Sequence, residues 1–447
     1  MICRVVPDRL TGVCRPLRAI CAALLVLQLP VQAAAAPAGT RAVCRGSDGY
    51  AEAFEGRRTF LWRPEWLRAQ KAAIAADAAR AAALRKAADA ALASPAFSVR
   101  DKSTVPPSGD KGDYLSIGPY WWPDPDKPGG LPYRRDDGRV NPERSGNAFD
   151  HSRLGAFSSS VRTLALASYF LDDARYARGA TDRLHAWFVA PATRMNPNLN
   201  FGQSVPGLSA GRGEGLIEMT ALIPVVESIG LIEPSGTMSA SDREALGAWF
   251  ADFVKWMAQS PIGTEERQKQ NNHGIYYDLL LGEFALFAGM EPVTRQVASA
   301  FPARRLALQM NADGQFPDEL KRTRSWHYAH FVATGALQLA TIAECSQIDL
   351  WNAATPDGRS LRTAMQFLLP FQGRIERWPF SDIETRNPGK QQGLSRTAIE
   401  TLRLAAWGFA DPTFEKTANA YKLKPKGDDE LWLAPFGLPK EKPSNGY

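Results

Sequence analysis

The sequence predicts an all-α protein, an α/α toroid built from antiparallel helix pairs, on three observations. Apolar residues recur at helical spacing through most of the chain from Asp150 onward. Short turns separate these segments, so successive helices are expected to pack as antiparallel neighbours. Alternation at strand spacing is nearly absent, and no fixed period of the kind that marks a strict repeat solenoid is visible.

The elements follow in order. Residues 64–92 are alanine-rich and read as one long helix, with Pro64 suited to its first turn. Further helices are expected over 152–171, 173–189, 214–229, 241–260, 264–289, 292–310, 323–345, 360–369 and 396–409. Three stretches interrupt them, at 96–150, 191–213 and 371–394. Long loops in a compact domain usually carry function, and these are expected to crowd one end of the toroid.

Arg4, Arg9, Arg15 and Arg18 flank or precede an apolar run over residues 19–31, and Ala33 to Ala36 supply small residues for cleavage. Residues 1–36 therefore read as an export signal and 37–447 as a single domain, periplasmic or secreted. The apolar run is too short to span a membrane, and no later segment is apolar enough, so no membrane partner is expected once the signal is removed. Two cysteines, Cys44 and Cys345, remain beyond the signal. In an oxidising compartment they either pair, tying the N-terminus to a late helix, or stay as two buried thiols.

The formal net charge is +6, and losing the signal's four arginines and one aspartate leaves +3. That mild basicity suits a polyanionic ligand, whereas the lack of long basic tracts argues against nucleic acid. The chain has no HExxH or CxxC, and His273 has no second histidine at metal spacing, so neither a metal nor another cofactor is expected. A monomer is expected.

The chemistry concentrates around residues 318–330, which hold Arg322, Arg324, Trp326, His327, Tyr328 and His330. On a helix, Arg324, His327 and Tyr328 would share a face. A guanidinium there would lower the tyrosine from its reference near ~10 and make it a base. The alternative is a helix start with a snorkelling arginine and a core tyrosine. In the first loop, Tyr120, Trp121 and Trp122 can stack on sugar faces or simply pin the loop to the helices. Arg134 and Arg135 follow in a cationic turn. The second loop offers Gln203 and Arg212 among glycines, but lacks the ending of a phosphate loop and any preceding strand. Asn271-Asn272-His273-Gly274 is a poor run for a helix interior; it marks either a site or a helix start capped by asparagine.

Five segments in this order carry a resemblance: 113–125 (DYLSIGPYWWPDP), 132–143 (PYRRDDGRVNPE), the Pro-Gly to Gly-Arg-Gly stretch through Arg212, Asn-Asn-His-Gly, and Arg-Thr-Arg-Ser-Trp-His-Tyr. From about residue 60 to about residue 410 the chain resembles the alginate-lyase-type superfamily of polysaccharide lyases, which includes mannuronan and glucuronan lyase branches. The resemblance implies an incomplete α/α toroid that cleaves uronic-acid polymers by β-elimination with no essential metal. It places the family's Asn-His pair on Asn272 and His273 and its tyrosine on Tyr328. The arginine falls on Arg322 or Arg324: in the mannuronate branch it precedes the tyrosine by seven residues, and here the two precede it by six and four.

Elimination sets three tasks: neutralise the carboxylate, remove the C5 proton, and protonate the leaving C4 oxygen. The catalytic set expected is Tyr328, His273, Asn272, Arg322 and Arg324. Tyr120, Trp121, Trp122, Arg134, Gln203, Arg212, Trp326 and His327 are the expected substrate contacts. The partner expected is an acidic polysaccharide, a β-1,4-linked glucuronan or poly-mannuronate. Two other readings remain: a helical-toroid glycoside hydrolase using carboxylates such as Asp318 and Glu319, or a protein that only binds an anionic polysaccharide.

Overall fold

Capping side chains set where the helices begin, and they divide two segments that periodicity runs together. Residues 64–92 form α1 (Pro64–Ala75) and α2 (Ala78–Ala93), because the extended Asp77 accepts from the N–H groups of Ala79 and Arg80 and starts a new helix. Then follow α3 (His151–Leu171), α4 (Ala174–Leu184), α5 (Ile223–Ile232), α6 (Ala240–Gln259), α7 (Pro261–Gln268), α8 (Asn272–Phe287) and α9 (Glu291–Phe301). The chain continues through α10 (Ala307–Gln309), α11 (Pro317–Leu320), α12 (Ser325–Ala343), α13 (Leu361–Leu368), α14 (Gln391–Phe409) and α15 (Pro412–Asn419). The helix expected over 264–289 is thus α7 and α8, separated where Asn271 caps α8 by accepting from the His273 N–H. Residues Gly213–Leu222 wind as a 3₁₀ segment ahead of α5.

This computed structural model describes residues 41–387 and 391–421; the expected export signal and the last 26 residues lie outside them. Helices α3, α5, α8, α12 and α14 pack each on the next as an inner row. Helix α4 backs α3, α6 and α9 back α8, α13 backs α12, and α15 backs α14, which is the paired-helix arrangement of an α/α toroid. Apolar and aromatic side chains fill the space between the rows, as where Phe157 stacks on Trp187 at 4.4 Å and Phe250 meets Phe284. Cys44 and Cys345 are disulfide-bonded, and beside them Arg63 pairs with Glu344 at 2.6 Å. The N-terminal segment is therefore fixed to the end of α12.

The first two loops hold short ladders. β1 (Leu115–Ile117) pairs in parallel with β4 (Phe201–Ser204), and β2 (Trp121–Trp122) pairs antiparallel with β3 (Arg134–Arg135). These pairings are non-local and too short to leave an alternating signature, which is why the sequence reads as loop there. A fully buried ion pair anchors the first loop: Lys102 Nζ lies 2.9 Å from Asp150 Oδ2, and Asp150 also accepts from the Leu115 N–H. Asp113 joins the first two loops by accepting from Asn196 and Asn198. In the third loop, Asp382 accepts from the Trp326 N–H at 2.8 Å and the Ile383 N–H donates to the Thr323 carbonyl. The loops thus fix the N-terminal end of α12.

Candidate active site

Tyr328 lies in the first turn of α12 and faces a cavity of about 690 Å³. Arg322 Nη2 donates to its hydroxyl at 2.9 Å, and the guanidinium carbon stands 3.8 Å from the ring centre. The expected partner was Arg324 at helical spacing. That spacing does not apply, because α12 begins at Ser325 and Arg324 is its non-helical cap. Arg324 instead pairs with Glu384 at 2.6 Å. Asp137, on the first loop, holds Arg322 at 2.9 Å and also accepts from Thr323 and Arg135. Burial works against its carboxylate, yet those donors outweigh burial and keep its pKa down at about 2.

The Tyr120 hydroxyl lies 2.9 Å from that of Tyr328. It was expected as a stacking surface, and here it is a hydrogen-bonding partner. The expected lowering of Tyr328 is not found: burial pushes its phenol well above the usual range, and Arg322 pulls against that without overcoming it. The phenol is protonated at rest. His327 stacks parallel to Phe331 at 5.6 Å, and burial, helped by Arg324, lowers it to about 4, so it is neutral.

The start of α8 forms another wall. His273 Nδ1 is 2.6 Å from Glu266 Oε1 of α7, so the carboxylate fixes Nδ1–H and leaves Nε2 for the cavity. Asn272 is fully buried, and its Nδ2 is engaged by both oxygens of Glu319 at 2.9 Å. Its Nδ2 is thus held by Glu319, while its Oδ1 has no hydrogen-bond partner among the described residues. Asn271 caps α8 through Oδ1 and also lines the cavity, and its Nδ2 has no hydrogen-bond partner among the described residues. Arg212 donates to Gln203 Oε1 at 2.8 Å and stands 5.7 Å from the Trp121 ring centre. Gln203 adopts φ 45°, a left-handed conformation rare for a non-glycine residue.

The cavity thus gathers Tyr120, Trp121, Gln203, Arg212, Asn272, His273, Arg322, His327 and Tyr328 from the expected set. Arg324, Trp122, Arg134 and Trp326 are not part of its lining. Trp326 lies two positions from Tyr328, roughly 200° round the helix, and is buried against Trp378 and His330. The Trp122 ring is covered by Arg139 at 4.1 Å, and exposed Arg134 turns toward Asp124 and Asp126. Arg135, Arg144, His151, Glu214 and Glu218 complete the charged and polar lining. Of the carboxylates weighed for a hydrolase, Glu319 is committed to Asn272, and Asp318 pairs with Lys321 on the surface.

The alginate lyase family model matches residues 98–378, well over half of the chain. The chain belongs to the alginate lyase family. An alginate lyase from Bacteroides ovatus has a solved structure that matches at 35% identity and TM-score 0.79, over 85% of this chain and 99% of that one. A more distant likeness is to alginate lyase A1-III, the enzyme of Sphingomonas species A1, in a variant complexed with a tetrasaccharide. It matches at 14% identity and TM-score 0.51, over 80% of this chain and 94% of that one, and bears on the fold alone. No curated protein matches. The protein is a polysaccharide lyase, and the matched span contains every cavity residue named above.

Proposed function

We propose that this polysaccharide lyase is exported and cleaves a β-1,4-linked polyuronate by β-elimination, leaving an unsaturated uronate end. The observation that carries the proposal is the Tyr328 hydroxyl, held at 2.9 Å by Arg322 and at 2.9 Å by Tyr120 in a cavity rich in cations. In β-linked glucuronate or mannuronate, H5 and O4 lie on the same ring face, so one group can serve both proton transfers. Tyr328, after giving up its resting proton to solvent, takes the C5 proton as the phenolate; the C5–H electrons form the C4–C5 double bond, the C4–O4 bond breaks, and the proton passes to O4, which restores the phenolate. Arg322 and the Tyr120 hydroxyl donate to the phenolate while it lasts. An amide such as Asn271 Nδ2 would donate to the carboxylate as its charge grows toward the transition state, and His273 Nε2, an acceptor while Glu266 holds the proton on Nδ1, would accept from the reacting sugar.

Glucuronan is the preferred substrate in this reading. Arg322 precedes Tyr328 by six residues, a departure from the mannuronate branch. The two sugars present the same C4–C5 geometry, so the choice rests on contacts at C2. Initial rates on glucuronan, polymannuronate, polyguluronate and a neutral β-1,4-glucan, followed by the ultraviolet absorbance of the new double bond, test all of this. The expected result is activity on the first two, faster on glucuronan and falling with added salt. Cleavage confined to polyguluronate, whose elimination needs opposite ring faces, would overturn the single-tyrosine mechanism. Cleavage without absorbance would return the hydrolase.

A further inference from the structure

A second charged cluster lines the same cavity and takes no part in the chemistry above. Arg144 Nη2 donates to His151 Nδ1 at 2.9 Å and to Glu218 Oε1 at 3.1 Å. Tyr114, fully buried, donates to Glu218 Oε2 at 2.6 Å. The three lining groups come from separate elements: Arg144 from the turn before α3, His151 from the first residue of α3, and Glu218 from the 3₁₀ segment before α5.

The hydrogens decide what this cluster offers. A guanidinium can only donate, so His151 Nδ1 must accept and the ring proton sits on Nε2. Burial, opposed by Glu218 and reinforced by Arg144, lowers the His151 pKa, in keeping with a neutral ring. Neither His151 Nε2 nor Arg144 Nη1 has a hydrogen-bond partner among the described residues, and neither is among the buried unpartnered atoms. The acid of the cluster is turned inward: the Glu218 side chain is 3% exposed, against 15% for Arg144 and 33% for His151. What meets a ligand is a guanidinium edge beside an imidazole N–H, a donor pair with no acceptor of its own.

The cavity, at about 690 Å³, lies within the range that encloses drug-sized ligands, so it has room for more than one sugar ring. Tyr328, Arg322, His273 and Asn271 serve the ring that reacts. We infer that Arg144 and His151 bind the carboxylate of an adjoining uronate. This inference rests on the polyuronate reading of the same site. Glu218, braced by Tyr114, positions Arg144 and does not touch the ligand.

The test compares binding of two tetrasaccharides by calorimetry: a homo-tetraglucuronate with a reduced end, and its analogue in which only one sugar keeps its carboxylate. Wild-type protein is expected to prefer the fully charged ligand. Truncating a charge-assisted hydrogen bond typically costs ~1.5–3 kcal/mol, roughly 10–150-fold. Arg144→Gln should weaken the homo-tetraglucuronate by that factor and leave the single-carboxylate analogue nearly unchanged. His151→Gln keeps the Arg144–Glu218 pair, so it guards against a folding artefact, and it should show a smaller loss of the same pattern. Equal loss for both ligands, or unchanged binding in both variants, would overturn the inference. The readout does not need cleavage: if the elimination mechanism is wrong, ultraviolet absorbance fails to appear while the binding pattern persists.

Discussion

Tyr328→Phe is the perturbation whose outcome the structure constrains most. It removes one oxygen, which accepts from Arg322 and shares a hydrogen with Tyr120, both at 2.9 Å. A net neutral hydrogen bond contributes ~0.5–1.5 kcal/mol and one to a charged group ~1.5–3 kcal/mol, so losing the Tyr120 and Arg322 bonds costs about 2–4.5 kcal/mol. Arg322 is not orphaned, because Asp137 still holds it at 2.9 Å, and the ring keeps its burial. The melting temperature should therefore fall by only a few degrees. Activity responds on another scale: loss of a general acid–base group costs ~10²–10⁴ in turnover, and here a single hydroxyl would serve two transfers, so the upper end is expected. Turnover is read by ultraviolet absorbance on glucuronan, stability by thermal unfolding, and polymer binding by calorimetry. Turnover within about tenfold of wild type, with binding and folding intact, would refute Tyr328 as the proton-transfer group.

Glu266→Gln should leave His273 in place but remove the charge at its Nδ1, lowering turnover by about 10–100-fold with a smaller effect on folding; kinetics together with unfolding curves check it. Turnover should rise with pH above neutrality, since Tyr328 is lifted by burial and must lose its proton to act as base; Arg322→Gln, which removes the cation that pulls against burial, should move that rise to higher pH, measured by pH–rate profiles. Stability should move in the acid direction: His327 and His330 are both held near 4, below their unfolded value of ~6.5, so the unfolded chain binds protons that the folded one refuses. Their contribution is fully present above ~6.5 and is lost progressively as pH falls toward 4, to be seen as a falling melting temperature. Replacing both Cys44 and Cys345 by serine should cost on the order of 2–5 kcal/mol, given the long chain segment the bond closes, and should lower the melting temperature without changing turnover.

Helical periodicity determined the class of fold and the position of most helices, because each buries one face and must repeat apolar residues to do so. It could not show the breaks at Asp77 and Asn271, where a single capping side chain ends one helix and starts another without interrupting the apolar pattern. Residues of the motifs Asn-Asn-His-Gly and Arg-Thr-Arg-Ser-Trp-His-Tyr line one cavity. Which arginine meets Tyr328 depended on where α12 starts: it begins at Ser325, two residues later than expected, so Arg324 is a non-helical cap and Arg322 reaches the phenol, while Asn271 and Asn272 both line the cavity. Glu266, Glu319, Asp137 and the Arg144–His151–Glu218 cluster left no usable signal. Their partners lie on other elements, and a lone charged residue looks the same in sequence whether solvated or buried beside a distant partner. The pKa of Tyr328 was likewise decided by the tertiary structure: adjacency to an arginine suggested a lowered phenol, and burial among α12, the first loop and their neighbours raised it instead.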